Sequence, residues 1–199
     1  MYTVIGSPGS RMTRVIWMLE ELGEAYAIEK AKPQSETARV YNPSGRIPAL
    51  MDGEMRLTDS AAICVYLGEK HADKGFGSRS RAERAQIDSW VHFAQSELEA
   101  PLWNKLKHRM LLPEELRVDV GPWCAWEFAR DVKALGRRLG ENEFALGDRF
   151  SAVDVILGHI GTWARGAKFA IESETVNAYL DRILARPALA RAREREAAV

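Results

Sequence analysis

Two short segments carry backbone and side-chain groups that could hold a small, extended ligand. Residues 42–50 run from a turn through Ile47-Pro48 into an apolar strand, so the N–H and C=O groups of Ile47 could pair with a ligand as an added strand would. Asp59 and Ser60 lie where a later strand ends and a helix begins, and their carboxylate and hydroxyl could meet the charged end of that ligand. Together the two segments predict a clamp for a small peptide.

A third group of polar side chains lies in the loop before the first predicted helix. Ser7 and Ser10 belong to a turn-rich cluster over residues 6–10, and Arg11 follows them. A hydroxyl at the start of a helix can donate a hydrogen bond to an anion, and the first N–H groups of the helix add positive potential there. The alternative is that one of these serines only caps the helix.

The elements that carry these residues alternate between strand and helix, which predicts an α/β domain over residues 1–73. We predict strands at residues 2–6, 26–29, 49–52 and 55–57 and helices at residues 15–22 and 60–69. The polar stretch over residues 32–40 is ambiguous. This order of elements fits a thioredoxin-like sheet with helices packed on it.

The rest of the chain, residues 80–199, follows a Gly-rich linker and predicts an all-α domain. We expect a long helix over residues 79–110, in which Pro101 could cause a bend, and a second helix over residues 113–139. Residues 151–154 form a predicted capping box before a buried helix, and two further helices follow it.

Composition and charge argue against several classes of function. Lysine plus arginine and aspartate plus glutamate balance at 28 each, so the basic surplus that a nucleic-acid partner would need is missing. No apolar run approaches the ~18–20 residues of a membrane span, and residues 1–3 lack the basic start of a signal peptide. Cys64 and Cys124 form no CxxC pair, and the histidines lack metal-ligand spacing. We therefore predict a cytoplasmic protein with reduced thiols, no metal, and neither a nucleic-acid nor a membrane partner.

The order and spacing of these segments resemble those of the cytosolic glutathione transferases over essentially the whole chain. The likeness is to bacterial-type members with a serine in the first loop, similar to the theta, zeta and nu classes. The residues that carry it are 7–14, 17–23, 42–50, 59–60, 147–154 and 186–188. Asp59 is a departure, because many members have glutamate before the serine. The resemblance implies the glutathione transferase fold, with a thioredoxin-like, glutathione-binding N-terminal domain and an all-helical C-terminal domain, in a homodimer.

The resemblance also implies that the first loop activates the thiol of glutathione, which is a co-substrate. A free thiol of this kind has a pKa of about 8.5–9, and lowering it by ~2 units needs roughly 2.7 kcal/mol of preferential thiolate stabilisation. We expect Ser10 to donate the hydrogen bond to sulfur, with Ser7 as the next candidate and Arg11 as an electrostatic helper.

The glutathione clamp would use both segments described first. A cis Ile47-Pro48 bond, which the resemblance implies, would turn the Ile47 backbone toward the cysteinyl main chain of glutathione. Ser60, as the N-cap of a helix, would bind the γ-glutamyl carboxylate, and Asp59 would bind the γ-glutamyl ammonium. Arg46 would approach the glycyl carboxylate.

The second substrate is expected to be a small hydrophobic electrophile held by the helical domain. Trp103, Leu106, Met110 and Trp163, together with Trp123, lie on predicted helices that could form its apolar pocket. The expected reaction is addition of the thiol or substitution by it. Two alternatives stay open: a non-catalytic member that binds glutathione or a protein, and a glutathione-dependent isomerase, peroxidase or dehalogenase. The residues do not identify the natural electrophile.

Overall fold

The computed structural model describes all 199 residues, and their contacts form two compact units. The first unit consists of Met1–Arg79 together with Leu184–Val199, and the second of Ser80–Ile183. The sequence-based division assigns residues 184–199 to the helical part of the chain, whereas their contacts group them with the first unit.

The first unit is built on a four-stranded mixed sheet in the order β2-β1-β3-β4. The strands are β1 (Tyr2–Gly6), β2 (Tyr26–Lys30), β3 (Ala49–Asp52) and β4 (Met55–Thr58). β1 pairs in parallel with β2 and antiparallel with β3, and β3 pairs antiparallel with β4. The predicted strands, the hairpin and the thioredoxin-like arrangement are confirmed.

Two long helices of this unit pack against each other through buried apolar faces. α1 (Met12–Leu22) is apolar along most of its length and ends at Gly23, whose φ of 66° lies in the left-handed region that favours glycine. α3 (Ser60–Lys70) buries Ile63 and Leu67. Both helices are confirmed, although α1 begins at Met12, before the predicted start at residue 15.

The ambiguous polar stretch forms a short helix, α2 (Glu36–Tyr41). Ser35 caps it, because its hydroxyl oxygen accepts a hydrogen bond from the N–H of Ala38. Ala38 belongs to a small buried cluster with Ile5 and Ala49. Since α2 buries a single alanine, it leaves no apolar periodicity in the sequence.

The last helix, α9 (Pro187–Ala197), packs along α1. Its buried face is made of alanine and leucine together with Glu196. Two ion pairs add to this contact: Arg186 donates to Glu21 at 2.6 Å, and Arg191 donates to Glu20 at 2.9 Å. These contacts explain why the C-terminal segment groups with the first unit.

The second unit consists of helices. A nearly continuous helical stretch comprises α4 (Arg81–Phe93), a π-helical segment (Ala94–Leu98), α5 (Glu99–Leu106) and a second π-helical segment (Lys107–Leu111). Pro101 lies within it, and the wider π turn comes directly before, where the proline ring needs room from the carbonyl of Glu97. The remaining helices are α6 (Gly121–Leu139), α7 (Ala152–Gly166) and α8 (Glu174–Leu184). No helix of the chain combines the length and the apolar character needed to cross a membrane.

Helix α6 starts later than the sequence predicts. Pro113 is followed by only one 3-10 turn (Glu114–Leu116), and the α-helix begins at Gly121. Pro122 suits the first helical turn, where its missing N–H has no intrahelical partner to lose. Asp119 accepts the N–H of Gly121 at 2.9 Å, which fixes the chain just before the helix. The prediction of one helix from residue 113 is therefore wrong.

Helix α7 starts at the predicted capping box, which is confirmed. Ser151 accepts the N–H of Val153, and Asp154 accepts the N–H of Ser151 at 2.8 Å. The same carboxylate accepts the N–H of Ala145 at 2.8 Å and the O–H of Tyr179 at 2.7 Å. Asp154 therefore satisfies buried donors from three segments of the helical unit.

We predict that Asp154→Ala lowers the free energy of unfolding by at least about 3 kcal/mol, because it leaves several buried donors without an acceptor. Tyr179→Phe removes one hydrogen bond together with its donor and should cost only about 1 kcal/mol. Urea unfolding of both variants measures the difference. Equal, small effects would contradict a central role for the carboxylate.

Candidate functional site

Strand register brings the candidate segments to one edge of the sheet. Ile5 of β1 pairs with Ala49 of β3, and Ala49 pairs with Thr58 of β4. The loop that contains Ser7 and Ser10, called the serine loop below, follows β1. The Ile47-Pro48 step precedes β3, and Asp59 follows β4. Neighbouring strands lie about 4.8 Å apart. The three segments therefore lie side by side, although they are far apart in sequence.

The Ile47-Pro48 peptide bond is cis, as the resemblance implies. Pro48 is buried, and Ile47 is half-buried against the cluster that contains Ala49. Because the ladder of β3 begins at Ala49, the backbone of Ile47 lies beyond the paired part of the strand. Arg46, just before it, is exposed, and its carbonyl accepts a hydrogen bond from Asn42 at 3.0 Å.

The start of α3 differs from the prediction in which residue caps it. Asp59, not Ser60, is the N-cap: its Oδ1 accepts the N–H groups of Ala61 at 2.9 Å and Ala62 at 3.1 Å. An aspartate at this position can reach the second and third N–H groups of a helix, which a serine one residue later cannot. Ser60 is instead the first residue of the helix, and its own N–H is not one of those that the cap uses.

Asp59 also has an unusual backbone. Its φ of 67° and ψ of 118° lie in a region that a residue with a side chain seldom adopts. Such conformations cost about 1–3 kcal/mol and concentrate at ligand-binding sites. Asp59 is exposed beside this turn, so its carboxylate caps the helix while remaining open to solvent.

Ser60 is buried and contacts an arginine that was not predicted as a site residue. Arg14, in the first turn of α1, is fully buried and donates from Nη1 to the Ser60 Oγ at 3.2 Å. A signal was present, because Arg14 lies four and eight residues before Met18 and Leu22 and hence on the apolar face of the helix. A charged residue on a buried face marks a candidate site.

In the serine loop, Ser10 has two hydrogen bonds. Its hydroxyl donates to the carbonyl of Ser7 at 2.7 Å, and its oxygen accepts the N–H of Met12 at 3.1 Å. Ser10 thus accepts the first N–H of α1, which is close to the capping role considered for one of the two serines, although the N-cap residue itself is Arg11. Both serines and Arg11 are partly exposed.

The predicted pocket residues all lie on the helical unit, at its surface. Trp103 and Leu106 on α5 and Trp163 on α7 are half-buried. Met110 is 56% exposed and Trp123 is 46% exposed. A small apolar space also lies among the helices of this unit, and none of these five side chains lines it; its walls include Leu98, Phe128, Leu157 and Leu180.

Comparisons with known proteins bear on this arrangement. Residues 4–75 match the family model of the glutathione S-transferase N-terminal domain. Glutathione S-transferase 1 of Zea mays is 33% identical over 96 residues, 46% of this chain and 45% of the maize protein. The probable glutathione S-transferase GSTF2 of Oryza sativa is 28% identical over 170 residues, 78% of this chain and 76% of the rice protein. The aligned part thus spans less than half of the maize relative.

Among solved structures, a glutathione S-transferase from Xylella fastidiosa superposes with a TM-score of 0.87 over 99% of both chains, at 20% identity. The fold is therefore that of a thioredoxin-like domain followed by a helical domain. The match over residues 4–75 and the two plant relatives make the chain similar to glutathione S-transferases.

We predict that neither cysteine reacts quickly with a thiol reagent in the native protein. Burial raises the pKa of the Cys64 thiol to about 12 and raises the pKa of the Cys124 thiol as well. At pH 8 only about one Cys64 in ten thousand would then be thiolate, the reactive form. Titration with an aromatic disulfide should show slow labelling before denaturation and two thiols after it. Fast native labelling would contradict a purely structural role.

Proposed function

We propose that this protein is a glutathione transferase that binds glutathione at the sheet edge of its first unit and ionises the thiol there. The observation that carries the proposal is the register that aligns Ile5, Ala49 and Thr58. This register brings together a backbone segment for an added strand, a helix N-terminus for a carboxylate, and hydroxyls for a thiolate. A γ-glutamyl tripeptide needs these three kinds of group.

The clamp roles follow from the chemistry of each segment. Ile47, before Pro48, would pair with the cysteinyl main chain. Ser60 would donate its N–H and O–H groups to the γ-glutamyl carboxylate, and the exposed Asp59 carboxylate would meet the ammonium. Arg46 is exposed beside this segment and would approach the glycyl carboxylate.

Ser10 is the proposed hydrogen-bond donor to sulfur. Its oxygen already accepts the N–H of Met12, and a hydroxyl polarised in this way is a stronger donor. Its proton, now directed to the Ser7 carbonyl, would turn to the thiolate when glutathione binds. The Ser7 hydroxyl is the second candidate, and Arg11 would add positive potential.

The remaining parts of the proposal concern the electrophile and the assembly. The acceptor would be a small hydrophobic electrophile that contacts Trp103, Leu106, Met110 or Trp163 on the helical unit. The thiolate would add to it or displace a leaving group, without a metal. We further propose a cytoplasmic homodimer with neither a nucleic-acid nor a membrane partner.

The test is the ultraviolet thiolate band of bound glutathione, titrated against pH. The bound thiol should have a pKa about 2 units below that of free glutathione. Ser10→Ala should raise that pKa by about one to two units, because a hydrogen bond to a charged group contributes about 1.5–3 kcal/mol. Ser7→Ala is the matched control and should change it by less than about half a unit.

Other outcomes have distinct meanings. A larger shift in Ser7→Ala would move the donor role to Ser7. If neither variant shifts the pKa, the activation comes from backbone dipoles. Glutathione bound without a thiolate band would indicate a non-catalytic binding protein. Absence of binding at millimolar glutathione would overturn the proposal. Thermal unfolding should accompany each variant, because Ser10→Ala also removes the hydrogen bond to the first N–H of α1, worth about 1 kcal/mol.

A further inference from the structure

The burial of Arg14 needs an explanation that packing alone does not supply. The side chain is fully buried, on the face of α1 that meets α3, and its neighbours in α1 are apolar. An apolar side chain would fill the same place without the cost of removing a permanent charge from water. One donor of the guanidinium, Nη1, is directed at the Ser60 Oγ at 3.2 Å.

This contact decides which way the Ser60 hydroxyl proton can point. A guanidinium has donors and no acceptor, so the Ser60 oxygen must be the acceptor in the pair. The single hydroxyl proton is therefore directed away from Arg14. A serine without such a neighbour could rotate its proton in any direction.

The surroundings of Ser60 add two further features. Asp59 accepts hydrogen bonds from the N–H groups of Ala61 and Ala62. The N–H of Ser60 comes before these two, at the N-terminus of α3. The buried guanidinium also places a permanent positive charge behind Ser60, where little water can screen it. The donors of Ser60 and the charge of Arg14 both favour an anion at this point, whereas the Asp59 carboxylate beside them opposes it.

We propose that Arg14 is a positioning residue that aims the Ser60 hydroxyl at the γ-glutamyl α-carboxylate of glutathione and makes this position selective for an anion. The inference rests on the proposed function, since it concerns how the same site recognises its ligand. Arg14 itself does not touch the ligand. It acts through Ser60 and through its charge.

The competing explanation is that Arg14 only ties α1 to α3. The two explanations differ in which ligand should be affected. A loosened scaffold would weaken every ligand that uses the site. A misdirected hydroxyl and a lost charge would weaken only a ligand that carries the carboxylate.

The experiment compares two ligands by calorimetry: glutathione, and γ-aminobutyryl-cysteinyl-glycine, which lacks only the α-carboxylate. The wild-type protein should prefer glutathione. Arg14→Met, which keeps much of the length without the charge, should weaken glutathione binding at least tenfold and change binding of the analogue by less than twofold, so the preference collapses. Arg14→Lys, which restores a cationic donor, should recover part of the preference.

Two controls complete the test. In a Ser60→Ala background, Arg14→Met should have a smaller effect on glutathione than in the wild-type background, because both residues act on one hydroxyl. Thermal unfolding reports whether each variant folds. If Arg14→Met does not fold, Arg14→Gln replaces it, since its amide can still donate to Ser60 without a charge, and it should lose part of the preference.

Equal weakening of both ligands by the folded variant would overturn the inference, and so would an unchanged preference. Both results leave the proposed function standing as long as the wild-type protein binds glutathione. Failure of the wild-type protein to bind glutathione at all would instead overturn the proposed function.

Discussion

The lateral register of three strands is the constraint on which the candidate site depends. Ile5, Ala49 and Thr58 pair in a row across the sheet, so the segments just beyond them have to emerge at the same edge. A shift of the β3–β4 pairing by one residue would move every side chain of β4 to the other face. It would also displace Asp59 relative to the Ile47-Pro48 step. The relative positions of the three site segments are therefore set by backbone pairing and not by contacts among the site's own side chains.

Buried polar groups then fix the details that the sheet cannot. Arg14 joins α1 to the first residue of α3, and Asp59 fixes the first turn of α3 from its exposed side. In the helical unit, Asp154 fixes the start of α7 in a comparable way with donors from three segments. Arg14 and Asp154 are buried at the start of a helix, whereas Asp59 stays exposed there, and Asp154 accepts hydrogen bonds from several donors. For Asp154 the cost of burial is offset by those hydrogen bonds, and the geometry at the start of α7 becomes specific.

Much of this architecture could be predicted from the sequence, because its signals are local. The strands, the Gly23 end of α1 and the capping box at Ser151 depend on residues close to one another. The start of α6 could not be found in this way, since Pro113 is as compatible with a 3-10 turn as with a helix. The cap at Asp59 was missed because its φ of 67° is a property of the folded turn. Arg14 was missed because one charged residue in an amphipathic helix usually points to solvent.

The C-terminal helix α9 also contacts the first turn of α1. The carboxylate of Glu196 accepts the hydroxyl proton of Thr13 at 2.8 Å, next to Arg14 in the sequence. Burial raises the pKa of Glu196, while the hydrogen bond from Thr13 and, less strongly, the nearby Arg193 oppose that shift. A carboxylate this close to the start of α1 draws on the same positive potential that a thiolate at Ser10 would use. A thiolate bound there, as proposed, would compete with this acidic neighbour for that potential, so a directed hydrogen bond from the serine loop would contribute more than the helix dipole alone.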